Sequence, residues 1–526
     1  MSSTIAIAPE AALKSPIPTV SLDDPSWSPR RRRLLRLAGV VVMAAWLVGL
    51  VAFSTILYNR NVLTADFGTY NQAWTLIGQG HLNPFDTVYI GHPFLKADFE
   101  LILWPLAVLH ALYPQPILLL WIQDVAVAAT GLVVYVWIVD YLEYWRVAWW
   151  RSAGIAAVVL VALVANPGVY QTLLYDFHLE PISTLFVVLA GRDLWKGRRR
   201  RPWIWVAIAL LCGSFAAITI IGLGVSALLA GKSTRRQGAL LVVVALAWLG
   251  LISVLGADAG SGLSYYAYLA GRSTLPGSSG VLLIIAGIVS HPMRAIDMLH
   301  ARFHFIYTLI KPVGVIGLAS AWGFGVPVVV MVSNALNSQY GFIFSAFQNS
   351  VVFPFVLLGT VIVLVWMAQR FKYGWIPAIV VAVAVITQAL FYGYTTSPGN
   401  IRWAVNRIGP APAAQLTKAL SLAPEQDEVV ATIGIMGRLS ARPYIYWYPP
   451  NSEVPVKTRQ VIFVFDPAYE VTIPGATPSD DLAAIAYARD QLHARTLLDA
   501  DGITVLAWKP PPGTTRVLIP GAHPPT

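Results

Sequence analysis

Two short stretches of this chain set ionisable side chains among apolar ones. The first reads Ala65-Asp66-Phe67-Gly68-Thr69-Tyr70-Asn71-Gln72-Ala73-Trp74, the second Tyr175-Asp176-Phe177-His178-Leu179-Glu180-Pro181. A carboxylate held at an apolar surface can take a proton as a general base or bind a divalent cation. Asp66 is the candidate base, with Tyr70 and Gln72 as candidate substrate contacts. Phe67, Tyr70, Trp74, Leu76 and Ile77 form an amphipathic stripe, which predicts a helix in a membrane interface plane with Asp66 at its start. An aspartate there could equally do no more than cap that helix. In the second stretch Asp176 and Glu180 are four residues apart, so a helix would put them on one face, with His178 pointing away. Asp176, His178 and Glu180 are taken as substrate-binding candidates, because acids flanked by apolar runs often line a site. The spacing is too loose to assign metal ligands.

The rest of the first loop carries His81, Asp86, His92, Lys96, Asp98 and Glu100. His92 is kept as a substrate-binding candidate, although a solvated loop would carry such residues anyway. Lys311 beside Pro312 fits a snorkelling cation, and Arg294, His300, Arg302 and His304 fit contact with lipid headgroups. No phosphate loop GxxxxGK[ST] and no GxGxxG after a strand is present, so an enzyme here would draw an activated substrate from the membrane.

These residues need a scaffold, and composition says which kind. Of 526 residues, 56% are hydrophobic and only 12% charged, about half the usual share of a soluble domain. That excludes a cytosolic enzyme, a disordered chain and a disulfide scaffold; the single cysteine, Cys212, cannot bridge internally. The net charge of +10 comes from runs beside apolar segments, which is how a membrane protein sets its orientation, not a nucleic-acid signal. The expected class is a polytopic α-helical membrane protein.

Residues 1–36 read as a disordered cytoplasmic tail ending in Arg30–Arg33 and Arg36. Leu37 to Leu57 then spans about 30 Å as a signal anchor. Residues 58–98 form the large first outer loop. The basic run Lys196–Arg201 should lie inside, so one of the four apolar stretches before it cannot cross. The short, Pro-broken Phe99–Leu112 reads as re-entrant, leaving Ile117–Val139, Ala153–Ala165 and Gln171–Ala190 as spans. Trp203–Ala230 has basic residues at both ends and reads as a hairpin of half-helices with its apex near Gly213-Ser214. Gly238–Leu255 crosses out. Phe303–Leu318 with Phe324–Ala335 reads as a second hairpin, and Val351–Met367 and Trp375–Phe391 cross in and out. The total is about 11 membrane segments within residues 37–393. Residues 394–526 read as a small extracytoplasmic α/β domain with a disordered Pro-rich end. Strands are expected at Val429–Ile433, Tyr444–Tyr448, Gln460–Phe465 and Thr504–Trp508, and a helix from Ser479 to Leu492.

The two acidic stretches, followed in order by Leu439-Ser440-Ala441-Arg442-Pro443-Tyr444-Ile445-Tyr446, resemble the bacterial membrane-protein family catalogued as domain of unknown function 2079, over about residues 37–510. That family is similar in turn to the GT-C superfamily of glycosyltransferases. The resemblance implies a multi-span fold, a polyprenyl-phosphate sugar donor, a cell-envelope acceptor, a divalent metal (Mg or Mn) or basic group at the leaving phosphate, and Asp66 as the catalytic acid of the first outer loop. The chain departs from the family where a Lys-Glu-Asp is usual and Gly213-Ser214-Phe215 stands, and at Asp98, where a histidine is usual. The rival class is a non-enzymatic transporter or scaffold. On either reading Asp66 and the Asp176–Glu180 cluster should line one pocket with Gly213-Ser214 at its floor.

Overall fold

The computed structural model describes residues 27–89, 91–97, 99–174, 176–255, 264–273, 275, 280–338, 347–395, 406–448, 453–470 and 478–520. Residues 1–26 of the expected tail, the Pro-rich end at 521–526, Asp98 and Tyr175 lie outside them. The first helix, α1 (Pro29–Asn59), starts eight residues before the apolar run. Ser28 accepts the Arg31 N–H and Pro29 opens the first turn with its φ already set, so the arginine run belongs to the helix and not to a tail. A short loop leads to α2 (Ala65–Gly78), and the stub α3 (Leu103–Ala107) follows the first loop. The stub is far too short to cross a membrane, as expected of Phe99–Leu112.

Helix α4 (Ile117–Tyr144) runs antiparallel to α1. Tyr135 donates to Leu35 O at 2.9 Å near one end, and Ser54 donates to Asp124 at 3.1 Å near the other. Next come α5 (Trp149–Val164), α6 (Pro167–Leu174) and α7 (Leu179–Trp195). The expected single span Gln171–Ala190 is therefore broken, because Asp176 takes φ +55° and His178 is extended. Helices α8 (Arg201–Leu210) and α9 (Ser214–Ala230) are separated at Gly213, whose φ of +105° and ψ of −174° suit only glycine. Gln237, near the start of α10 (Lys232–Val254), donates to Arg199 O at 3.4 Å. The chain thus enters and leaves the α8–α9 piece at the same end, the geometry of a hairpin.

Helices α11 (Gly280–Ser290) and α12 (Pro292–Ala301) meet at a bend of 89°. They are followed by α13 (Phe303–Ile310), α14 (Ala321–Leu336), α15 (Val352–Arg370) and α16 (Trp375–Thr395). Helix α14 crosses α9 closely: a Cβ on Gly325 would sit 2.4 Å from Gly222 O, so only glycine allows that approach. Among the described residues five helices are long and apolar enough to cross a membrane, or six if the bent α11–α12 pair is one span. The chain is a multi-pass membrane protein. Several of the expected segments, such as Arg201–Leu210 and Ala321–Leu336, are apolar but short.

The C-terminal part is a small sheet with helices. Helix α17 (Pro410–Leu422) leads to β1 (Glu428–Ala431), then α18 (Ile433–Leu439), β2 (Ile445–Trp447), β3 (Glu453–Pro455), β4 (Val461–Phe465), α19 (Pro478–Asp490), β5 (Arg495–Ala500), β6 (Ile503–Trp508) and β7 (Arg516–Leu518). The main sheet has the order β2-β1-β4-β6-β5, with β1 parallel to β2 and β4, and β6 antiparallel to β4 and β5. All five residues of β4 are buried, as expected of a central strand read as an unbroken apolar run. The expected strand Val429–Ile433 stops at Ala431, because Thr432 turns the chain into α18.

Candidate active site

Helix α2 is not an interfacial helix. Phe67, Asn71, Gln72 and Trp74 are all buried, so both its apolar and its polar sides are covered. The polar side docks the C-terminal sheet region. Asn71 donates to Ser440 Oγ at 2.8 Å and to Gly437 O at 3.3 Å. Gln72 donates to Thr87 Oγ1 at 2.7 Å and to Arg442 O and Pro443 O at 3.1 Å, and its carbonyl accepts the Thr87 N–H at 3.0 Å. Expected as a substrate contact, Gln72 instead joins the first loop to the segment before β2, and a ligand would have to displace those bonds. The close fit extends to Gly68, where a Cβ would meet Met436 at 3.2 Å.

Asp66 sits in the first turn of α2 without capping it; Thr64 is the N-cap residue. Its carboxylate is held on both sides. Tyr89 donates to Oδ1 at 2.8 Å, and His178 Nε2 lies 3.4 Å from Oδ2. The His178 side chain is 3% exposed, whereas that of Asp66 keeps 41% of its surface open. Burial disfavours the charged form of Asp66, but the His178 and Tyr89 hydrogen bonds outweigh it and hold its pKa below the usual carboxylate value. Burial likewise works against protonated His178, and Asp66 and the neighbouring acids reverse that, raising its pKa. The two side chains pair directly, each favouring the charged form of the other, with the Asp66 carboxylate reaching open space.

The helical face expected to join Asp176 and Glu180 does not exist, because Asp176 precedes α7 in a left-handed turn. His178, expected to point away, points at Asp66. Three groups from other elements fix this turn. The Asp176 carboxylate accepts the Thr64 N–H and, at 3.2 Å, the Thr64 hydroxyl. From α4, Gln123 donates to Asp176 O and accepts the His178 N–H, both at 2.6 Å. Phe347 stacks on the His178 ring. Burial raises the Asp176 carboxyl to about 7. Asp176 is therefore a brace between the first loop and α7, two residues of α1–α2 linker away from the candidate base.

Tyr70 extends the network. It packs edge-on against Phe177 and His178 and donates to Glu100 Oε1 at 3.0 Å. Glu100 in turn lies under Gly213, where a Cβ would meet its Cγ at 3.0 Å, and Ile102 N–H donates to Leu211 O at 2.8 Å. Asp66, His178, Tyr70, Glu100 and Gly213 thus form one connected chain of contacts, and the expected floor is next to the expected acids. Glu180 lies in the first turn of α7, with Oε2 buried and lacking a hydrogen-bond partner among the described residues. His92 is elsewhere: it is exposed in the stem of a tight loop, where its carbonyl accepts the Asp86 N–H at 3.0 Å. Among the described residues no three His, Cys, Asp or Glu side chains come together as a metal ion requires.

Sequence reasoning missed Tyr89, Gln123 and Phe347 and set Glu100 aside. Gln123-Asp124 did carry a signal, being a polar pair inside the apolar run Ile117–Val139. Tyr89 had none, because its role depends on a loop closed by the Phe85–Pro93 bridge.

No curated protein matches this chain. The family model described as predicted membrane protein, DUF2079, matches residues 58–482, which takes in the first loop, the broken helices around His178 and the C-terminal segment docked on α2. A chain matched over that length, with five or six candidate spans, belongs to the DUF2079 family of predicted membrane proteins.

Proposed function

We propose that the chain is a GT-C-like membrane glycosyltransferase, or a degenerate relative of one, acting on a polyprenyl-phosphate-linked sugar at the extracytoplasmic surface. One observation carries the reading: the Asp66 carboxyl group is fixed by Tyr89 and His178, with its open side at the loop end of the helix bundle. In the reaction an acceptor hydroxyl oxygen bonds to the anomeric carbon and its proton passes to Asp66. The bond from that carbon to the phosphate oxygen breaks, and polyprenyl phosphate leaves with inversion. His178 and Tyr89 hold the base in place. The N-terminus is assigned to the cytoplasm and the C-terminal domain to the outside, because Arg32, Arg36, Arg192, Lys196, Arg198 and Arg201 gather at the end away from Asp66. Where a Lys-Glu-Asp is usual in the family, Gly213-Ser214-Phe215 stands here with Glu100 against Gly213, so if that lysine binds the donor phosphate this chain lacks it, which keeps a degenerate relative in the reading. A divalent cation would need acids that the described geometry keeps apart, so no step is routed through one.

The test uses the full chain in liposomes with polyprenyl-phosphate-linked [14C]hexoses and pentoses. Transfer of label to cell-envelope polysaccharide by the wild type and not by Asp66→Asn supports the reading. Absence of transfer from every donor refutes an active enzyme. A transporter or scaffold is the second reading, and Asp124 favours it. This carboxyl is wholly buried on α4, with Ser54 on one oxygen and, among the described residues, no hydrogen-bond partner on Oδ2, and an ionisable group inside a span is a common feature of transport pathways. Proton uptake by the same liposomes, lost in Asp124→Asn, would support it.

A further inference from the structure

Above Asp66 two aromatic rings from different domains form a corner. Tyr89 is at the tip of the loop 85–93, and Trp447 ends β2 of the C-terminal sheet. Their ring centroids are 5.4 Å apart and their planes meet at 88°. Tyr89 is 43% exposed even though its hydroxyl donates to Asp66. The corner is rigidly built from backbone and buried polar contacts. Phe85 bridges Pro93, and Phe94 N–H donates to Pro84 O at 2.8 Å. Asp86 accepts the Val88 N–H at 2.9 Å, an Asx-type turn. Burial, set partly against that bond, raises the Asp86 carboxyl to about 6. Thr87 Oγ1 donates to Ile445 O at 2.8 Å, and Trp447 N–H donates to Val88 O at 3.1 Å.

We infer that the Tyr89–Trp447 corner is the acceptor subsite and takes the ring of a pyranoside or furanoside; the inference rests on the glycosyltransferase reading for the role of acceptor, though not for binding itself. A sugar ring presents an apolar C–H face within a rim of hydroxyls. It needs a flat apolar wall with a hydrogen-bond acceptor at its edge, and a rigid aromatic with a polar tip supplies both. Here the wall is exposed Tyr89 backed by Trp447, and the acceptor at the edge is Asp66, whose free surface lies at the end of the Tyr89 ring. A hydroxyl seated there is beside the base that must take its proton. The C-terminal domain thereby becomes part of the site, contributing Trp447.

Saturation-transfer NMR on the full chain in nanodiscs tests this, with methyl mannopyranoside, methyl galactopyranoside and methyl arabinofuranoside as probes and sorbitol as an open-chain control. Ring glycosides should show transfer and sorbitol should not. Tyr89→Ala and Trp447→Ala should each reduce the signal at least several-fold, whereas Tyr89→Phe, which keeps the wall, should retain it. Trp447→Phe guards against a folding loss, and the Trp447–Val88 bond is a backbone bond that any of these variants keeps. Equal signals from sorbitol, or full signals in both alanine variants, overturn the subsite. Glycoside binding without transfer from any lipid donor leaves the subsite standing and removes the enzymatic reading; transfer that is indifferent to both alanine variants does the reverse.

Discussion

Both ends of the helix bundle carry buried acids, and the two ends treat them differently. At the basic end Asp140 is bound by Arg36 and Arg192 at 2.6 Å and Lys196 at 2.7 Å, Glu143 by Arg32 and Asp193 by Arg198. At the loop end Asp66, Asp176 and Glu180 have hydroxyls, backbone N–H groups and one histidine around them, with no Lys or Arg pair among the described residues. The first arrangement neutralises charge and ties α1, α4 and α7 together. The second leaves one carboxylate, Asp66, open to solvent. Acids clamped by several Lys and Arg side chains hold a fold; an acid held by one tyrosine and one histidine, with an open side, can still meet a substrate proton. That contrast, together with the open surface of Asp66, separates structural from chemical carboxylates.

Several variants would sharpen or break the contrast. The largest effect is expected for Asp66→Asn, which should lower any transfer by about 10²–10⁴-fold while leaving the thermal midpoint in nanodiscs nearly unchanged. A fall in stability as large as that from an acid at the basic end would mean that Asp66 is structural after all. Asp140→Ala should do the opposite, destabilising by about 2–3 kcal/mol, less than for a fully buried pair because its cations reach solvent, with transfer per folded molecule unchanged. Gly213→Ala should cost about 1–3 kcal/mol through its backbone conformation alone. It should also disturb Glu100 and Tyr70, which a shift in the pH profile of transfer would reveal. A lysine at Gly213, attractive from sequence as a replacement phosphate ligand, would carry the same strain. Gln72→Ala should cost about 1–3 kcal/mol by leaving the buried Thr87 N–H unsatisfied, and limited proteolysis should then release residues after about 406 faster.

The smallest effect is a pH dependence confined to the loop end. His178 has a raised folded pKa, so its contribution is complete below its unfolded value and is lost as pH rises through the folded one. Asp176, raised from 3.8 to about 7, opposes folding increasingly as pH climbs between those values. Asp66, whose pKa is depressed, loses its contribution only as pH falls through that depressed value. The thermal midpoint should therefore decline from about pH 5 to pH 8, and Asp176→Asn should flatten the decline. An equally steep decline in the Asp176→Asn, His178→Gln double variant would place the titration elsewhere.

Long apolar runs made the helices legible, and basic runs flanking Trp203–Ala230 made the α8–α9 hairpin legible. Gly213 marked its apex because the backbone there admits no side chain. Proximity of the two acidic stretches also came through, but their geometry did not. Asp176, His178 and Glu180 were read at helical spacing, and the turn that breaks the helix is set by Thr64 and Gln123, 112 and 53 residues away from Asp176. The stripe on α2 was read against lipid, whereas its polar side faces Ser440 and Pro443. A pattern of burial names the face that is covered; it does not say what covers it.

The docking of α2 against the segment before β2 has a consequence for how the molecule is made. Asn71 and Ser440 are 369 residues apart, and their bond helps to seat the domain that carries Trp447 beside Asp66. A ribosome adding 5–20 residues per second needs roughly 20–70 s to make that interval. During that time the first loop already exists while Asn71 lacks Ser440 and Gln72 has Thr87 alone. The nascent chain thus holds the loop end incomplete until nearly all of it has emerged, and termination between the first loop and residue 440 yields a membrane-inserted product in which Asn71 lacks its Ser440 partner, a natural target for quality-control proteolysis.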